Sequence, residues 1–146
     1  MRRFGHPPRP DKSYTLRPGA YAVLPRHGQL LLTFQKEPEP EFQLPGGGID
    51  LGESSVRALH REVFEETGWT IAKPRRIGAF RRFVFMPEYD LWAEKVCILF
   101  TAFPVRQAGP PSEASHLAMW TTPEFAAEHV ANPGDRHFVR TLLGLV

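Results

Sequence analysis

The chain has 146 residues, a formal net charge of +2 at pH 7, 15 prolines and a single cysteine, Cys97. This length suits one domain with its own core, and one cysteine excludes both an internal disulfide and a cysteine-based zinc site. No apolar run approaches the roughly 18 to 20 residues of a membrane helix, and the N-terminus lacks the apolar segment of a signal peptide. The near-neutral charge argues against bulk nucleic-acid binding as the main role. We therefore expect a cytoplasmic protein without membrane contact.

The first part of the chain is predicted to form an extended arm followed by strands. Residues 1–16 are rich in proline and arginine, which predicts an arm, and residues 17–146 form the predicted domain. Apolar runs at 19–24 and 29–35, separated by a turn, predict two strands, and Phe42–Leu44 predicts a third.

Residues 54–67 carry the clearest helix pattern. An N-cap serine stands at position 54 or 55, and Gly68 occupies the place of a C-terminal glycine. Apolar residues recur at i, i+3 and i+7 as one stripe: Val56, Leu59 and Val63.

The second part of the chain alternates strands and helices. Aromatic and branched residues predict strands over 77–86 and 91–103, and 118–121 predicts a short last strand. Thr122 followed by Pro123 is typical of a helix start, and 135–144 predicts a C-terminal helix. This order favours α/β or α+β architecture with a mixed sheet between helices.

Three carboxylates, Glu62, Glu65 and Glu66, share one face of the predicted helix, near its C-terminal end. They repel one another, and the helix dipole disfavours anions at that end. A divalent cation would relieve this repulsion, and hard oxygen ligands suit Mg²⁺ or Mn²⁺. The alternative is a solvated face on which Arg57 and Arg61 pair with the acids.

The spacing around these acids is specific. The segment Gly47–Trp69 fits G-x5-E-x7-R-E-U-x-E-E-x-G-U, where U is a bulky apolar residue. The segment resembles the Nudix box of the Nudix hydrolases (MutT-like proteins). Every fixed identity is filled, by Gly47, Glu53, Arg61, Glu62, Glu65, Glu66 and Gly68. The resemblance implies an α/β/α sandwich with a central mixed β-sheet. It also implies metal-dependent hydrolysis of a pyrophosphate bond in a nucleoside diphosphate-linked substrate.

The resemblance also implies residue roles. Glu65 and Glu66 correspond to the main ligands of Mg²⁺ or Mn²⁺, and the backbone carbonyl of Gly47 corresponds to a further ligand. Glu62 is a metal ligand or the general base. Two residues support the site in the implied scheme: Glu53 and Arg61, which orients a neighbouring carboxylate.

Two features outside the box are candidates for the same site. Arg81 or Arg82 is expected to contact substrate phosphate, but not both, because adjacent strand residues face opposite ways. Glu113, in a loop, is a candidate further metal ligand, with Glu94 as its rival. For each of these residues a purely structural role is the alternative.

The expected partner is a small nucleotide-type diphosphate, and homodimer formation is left open. Two other functions stay open on the sequence. One is a non-catalytic, Nudix-like nucleotide sensor, which the intact acids argue against. The other is an RNA 5′-end pyrophosphohydrolase, for which the basic arm and the basic block at 73–82 would supply the surface.

Overall fold

The computed structural model describes residues 1–112 and 115–144. Over these residues the chain forms nine strands and three helices. The strands are β1 (Arg2–Arg3), β2 (Thr15–Val23), β3 (Pro25–Arg26), β4 (Gln29–Gln35), β5 (Glu41–Gln43), β6 (Gly46–Gly48), β7 (Trp69–Met86), β8 (Leu91–Gln107) and β9 (His116–Thr121). The helices are α1 (Ser55–Thr67), α2 (Pro123–His129) and α3 (Pro133–Leu142). None of the described helices has the length and apolar character needed to span a membrane.

The central sheet is mixed, as expected. Its five strands lie in the order β1-β7-β8-β2-β6, with parallel pairing of β1 to β7 and of β2 to β8 and antiparallel pairing elsewhere. A second sheet is antiparallel and joins β3, β4, β5 and β9, with β9 beside β4. The sequence did not separate these two sheets, because the short strands carry no signal for their partners.

The helices cover both faces of the sheet and confirm the α/β/α sandwich. Alternation along β2 sends Ala20 and Ala22 into the core under α1, with Leu59 and Val63. Val23 and Tyr21 instead face the core under α2 and α3. Each face of the sheet therefore buries its own apolar cluster.

Helix α1 begins and ends where its sequence predicts. The Ser54 side chain accepts a hydrogen bond from the Arg57 N–H, and Gly68 ends the helix with a left-handed φ of 76°. The predicted stripe is wrong at Val56, which is 38% exposed. Val56 lies in the first turn, ahead of Ala58, the first buried residue of the helix.

Strand β7 differs most from its prediction. It begins at Trp69, directly after the helix, rather than at residue 77. Register shifts between Ala72 and Arg75 accommodate Pro74, which has no N–H to donate. Helix α3 also begins two residues early, at Pro133, because Asn132 caps it with its side chain.

The predicted N-terminal arm contains β1 and the first residues of β2. Arg2 and Arg3 pair with β7, and the Phe4 ring packs edge-on against Phe80, with centroids 5.4 Å apart. A domain boundary between residues 16 and 17 stays a prediction.

Candidate active site

Arg61 lies at the centre of the acidic group on α1. Its Nε and Nη2 donate to the two carboxylate oxygens of Glu53 at 2.8 and 2.9 Å. Its Nη1 donates to Glu62 at 3.0 Å and to Glu65 at 3.4 Å, and Nη2 also donates to the Gly48 carbonyl at 3.0 Å. One guanidinium thus connects three box carboxylates to the end of strand β6.

These bonds stabilise the ionised form of Glu53. Hydrogen bonding to Arg61, together with the hydrogen bond from the Asp50 N–H, lowers the pKa of Glu53 to about 2. The same contacts raise the pKa of Arg61 above its ordinary value, with Glu53 as the main cause.

Glu66 and Glu62 approach strand β6 from the helix. Glu66 is only 5% exposed, and its Oε1 accepts a hydrogen bond from the Gly46 N–H at 2.9 Å. The other Glu66 oxygen lies 3.5 Å from Nε2 of His116 on β9. Glu62 lies against Gly47, where an added Cβ would meet its carboxyl carbon at 2.5 Å. Glycine at position 47 is what allows this close approach.

The three carboxylates of α1 do not converge on one point, although the helix pattern places them on one face. Within residues 1–112 and 115–144, no group of three or more His, Cys, Asp or Glu side chains forms a ready-made metal cluster. Glu62 and Glu65 are turned towards Arg61, and Glu66 towards Gly46. Glu113, the candidate ligand outside the box, lies outside the described residues.

Two cavities share lining residues on the central sheet, and the first of them borders this acidic group. The first, here the α1 cavity, has a volume of about 230 Å³ and is lined by Arg17, Gly48, Asp50, Glu62 and Tyr89 among others. The second, the α3 cavity, has a volume of about 260 Å³ and reaches α3. Its polar lining comprises Gln35, Glu41, Gln43, Arg82, Asn132 and Asp135. Tyr21 and Lys95 line both cavities.

The two candidate arginines face opposite ways. Arg82 lines the α3 cavity, whereas exposed Arg81 lies 3.7 Å from Glu94 at its closest N–O approach. Glu94, the rival acid, thus lies with Arg81 and does not line either cavity.

Asp135 in α3 lines the α3 cavity and is a candidate site residue that the sequence analysis did not single out. It is 5% exposed, and burial raises its pKa to about 7, against the opposing effect of Arg82 and Lys95. Among the described residues, neither Asp135 Oδ1 nor Arg82 Nε has a hydrogen-bond partner, although both atoms are buried. Burial also raises the pKa of Tyr21 well above its ordinary value. A lone aspartate two residues after a proline carries no sequence signal for this environment.

The family assignment follows from comparison with known proteins. The NUDIX domain model matches residues 14–142. The chain therefore belongs to the Nudix family, as the box predicted.

Individual relatives are MutT-like. A Bacillus subtilis (strain 168) protein named "Putative 8-oxo-dGTP diphosphatase" is 36% identical over 74 residues, which are 51% of this chain and 50% of that protein. The match thus spans half the length of that relative. A NUDIX hydrolase from Nitrosomonas europaea has a TM-score of 0.72 at 18% identity, covering 89% of this chain and 90% of the other. A MutT protein from Bacillus halodurans has a TM-score of 0.70 at 24% identity, covering 87% and 82%. These two structures establish the shared fold.

Proposed function

We propose that this chain uses Mg²⁺ or Mn²⁺ to hydrolyse a pyrophosphate bond of a nucleoside triphosphate. The observation that carries the proposal is the Arg61-centred group of Glu53, Glu62 and Glu65 beside the α1 cavity. Membership of the Nudix family and the name of the Bacillus relative support a phosphoanhydride of a nucleotide as substrate.

The donor atoms fit a hard divalent cation. Glu62, Glu65 and Glu66 offer carboxylate oxygens, and Gly47 offers a backbone carbonyl on the strand that Glu62 contacts. The missing side chain at Gly47 supports this fit. The Glu62 carboxylate occupies the space that a Cβ would take, so it lies close to the Gly47 backbone. Such a cation, when bound, neutralises phosphate charge and lowers the pKa of bound water.

The protein's own groups position the reacting atoms. Glu62 either binds the cation or accepts the proton of the attacking water at its carboxylate. Arg61 holds Glu62 and Glu65 in place, and Glu53 in turn fixes Arg61 through two hydrogen bonds. Phosphoryl transfer depends mostly on positioning and charge stabilisation, which such a group supplies.

Turnover by a Glu66→Gln variant tests the proposal. Glutamine keeps an oxygen that can accept from the Gly46 N–H but removes the charge, so we expect the fold to persist and turnover to fall at least 100-fold. The matched control is Glu128→Gln, an exposed acid on α2. Circular dichroism reports the fold. Wild-type turnover in Glu66→Gln would exclude this assignment.

Substrate choice is tested by a release assay with Mg²⁺ and Mn²⁺. Nucleoside triphosphates, including 8-oxo-dGTP, are compared with nucleoside diphosphate conjugates and 5′-triphosphate RNA. We expect the triphosphates to give the highest kcat/KM and to release pyrophosphate. Faster turnover of RNA would favour the 5′-end hydrolase, and no turnover of any substrate would favour a binding module.

A further inference from the structure

Three basic side chains form one row across the central sheet. Arg17 on β2 lies opposite Lys95 on β8, and Lys95 lies opposite Arg82 on β7. Neighbouring strands lie roughly 4.8 Å apart, so the row spans roughly 10 Å at the backbone. All three side chains point to the sheet face that carries Cys97, since positions two apart along a strand share a face.

Among the described residues, no carboxylate forms a direct ion pair with the row. Within residues 1–112 and 115–144, none of its three members makes a side-chain hydrogen bond or an ion pair of 4.0 Å or less. Arg17 stacks over the Tyr89 ring at 4.6 Å, and Arg82 Nε is buried without a partner. Like charges directly opposite each other destabilise a sheet. A bound anion would reduce the repulsion between the three cations of the row.

The row connects the two cavities. Arg17 lines the α1 cavity, Arg82 lines the α3 cavity, and Lys95 lines both. Acidic groups face the row at its ends. Asp50 and Glu62 line the α1 cavity, and Glu41 and Asp135 line the α3 cavity. The cations therefore lie between the acidic α1 group and buried Asp135.

We propose that Arg17, Lys95 and Arg82 bind the phosphate chain of the substrate as it runs from the α1 cavity to the α3 cavity. The phosphates at the Arg17 end then lie beside Glu62, and the uncharged remainder of the substrate occupies the α3 cavity. Its hydrogen-bond donors pair with Asp135 Oδ1, which has no hydrogen-bond partner in the described part of the chain. This inference rests on the proposed function, and it names Lys95 as the residue that bridges both cavities.

The test compares Lys95→Gln and Arg17→Gln with Arg81→Gln, which removes a cation from the opposite face of the same sheet. The probe is inorganic tripolyphosphate with Mg²⁺, measured by calorimetry. Charge-assisted bonds are strong, so we expect roughly tenfold to hundredfold weaker binding for Lys95→Gln and Arg17→Gln and an unchanged Kd for Arg81→Gln. Lys95→Arg should restore most of the binding, and thermal melts check that each variant is folded.

Binding of this probe is measured separately from turnover of nucleotides. The phosphate-binding role of the row and the proposed reaction can therefore be refuted independently. If nucleoside triphosphates are hydrolysed, KM should rise in Lys95→Gln far more than kcat falls, and the salt dependence of KM should weaken. The inference would be overturned if Lys95→Gln and Arg81→Gln changed the Kd for tripolyphosphate equally. It would also be overturned if neither Lys95→Gln nor Arg17→Gln changed that Kd.

Discussion

Arg61 donates to both carboxylate oxygens of Glu53, from Nε at 2.8 Å and from Nη2 at 2.9 Å. This two-point contact fixes the plane of the guanidinium, so that Nη1 is aimed at Glu62 and Glu65. The pair therefore sets the orientation of the acids that we assign to cation binding.

Arg61→Lys should disrupt this orientation while keeping the charge. An ammonium cannot reproduce the planar fork that bonds Glu53 at two points and reaches Glu62 as well. We expect a lower Tm and at least a tenfold loss of kcat, measured by thermal melting and pyrophosphate release. Arg57→Lys on the exposed side of α1 is the control. If Arg61→Lys matched that control, the role of the fork would be refuted.

Glu53 should make stability sensitive to acid. Its pKa is lowered to about 2 in the folded protein, so its contribution is complete above the ordinary value of 4.5 and is lost as pH falls towards 2. Glu53→Gln lacks this contribution at every pH. We expect wild type to be the more stable protein at pH 7, with a difference that shrinks between pH 4.5 and pH 2, as measured by urea unfolding. A difference that does not change with pH would contradict the assignment.

Gly47→Ala should displace Glu62. The new Cβ would lie 2.5 Å from the Glu62 carboxyl carbon, whereas a Cβ at Gly109, away from both cavities, meets nothing within 4 Å. Displacing a reacting group by about 1 Å can cost about 100-fold, so we expect a loss of that order in kcat/KM for Gly47→Ala and little change for Gly109→Ala. Steady-state kinetics on the two variants checks this, and equal activities would argue against a role for the Gly47–Glu62 contact.

Asp135→Asn should stabilise the protein at alkaline pH. The pKa of Asp135 is raised from 3.8 to about 7, so between these pH values the carboxyl group is protonated in the folded protein and ionised in the unfolded chain. The free energy of unfolding therefore falls as pH rises through this interval. Asparagine removes the cost of burying a charge. We expect the free energy of unfolding to rise by on the order of 1 to 4 kcal/mol above pH 7 and by almost nothing near pH 4. Thermal melts of both proteins from pH 4 to pH 9 measure the difference. An equal gain at all pH values would point to packing rather than ionisation.

The local parts of the structure follow from short stretches of sequence. Ser54 and Gly68 bound α1 because capping depends on neighbouring residues only. The box spans 23 residues, so its family could be recognised without the fold. The extra length of β7 could not be predicted, because its irregular start at Trp69 is supported by pairing with β8.

The sequence by itself determined the family, the acids of α1 and the alternation that allows only one of Arg81 and Arg82 to face the cavities. Only the tertiary structure decided that this residue is Arg82. It also decided that Lys95 lies between two arginines distant in sequence. Asp135 is buried there too, and no described residue forms a hydrogen bond with its Oδ1. Strand order and helix docking bring these groups together, and both depend on contacts between residues far apart in the chain, which no local pattern encodes.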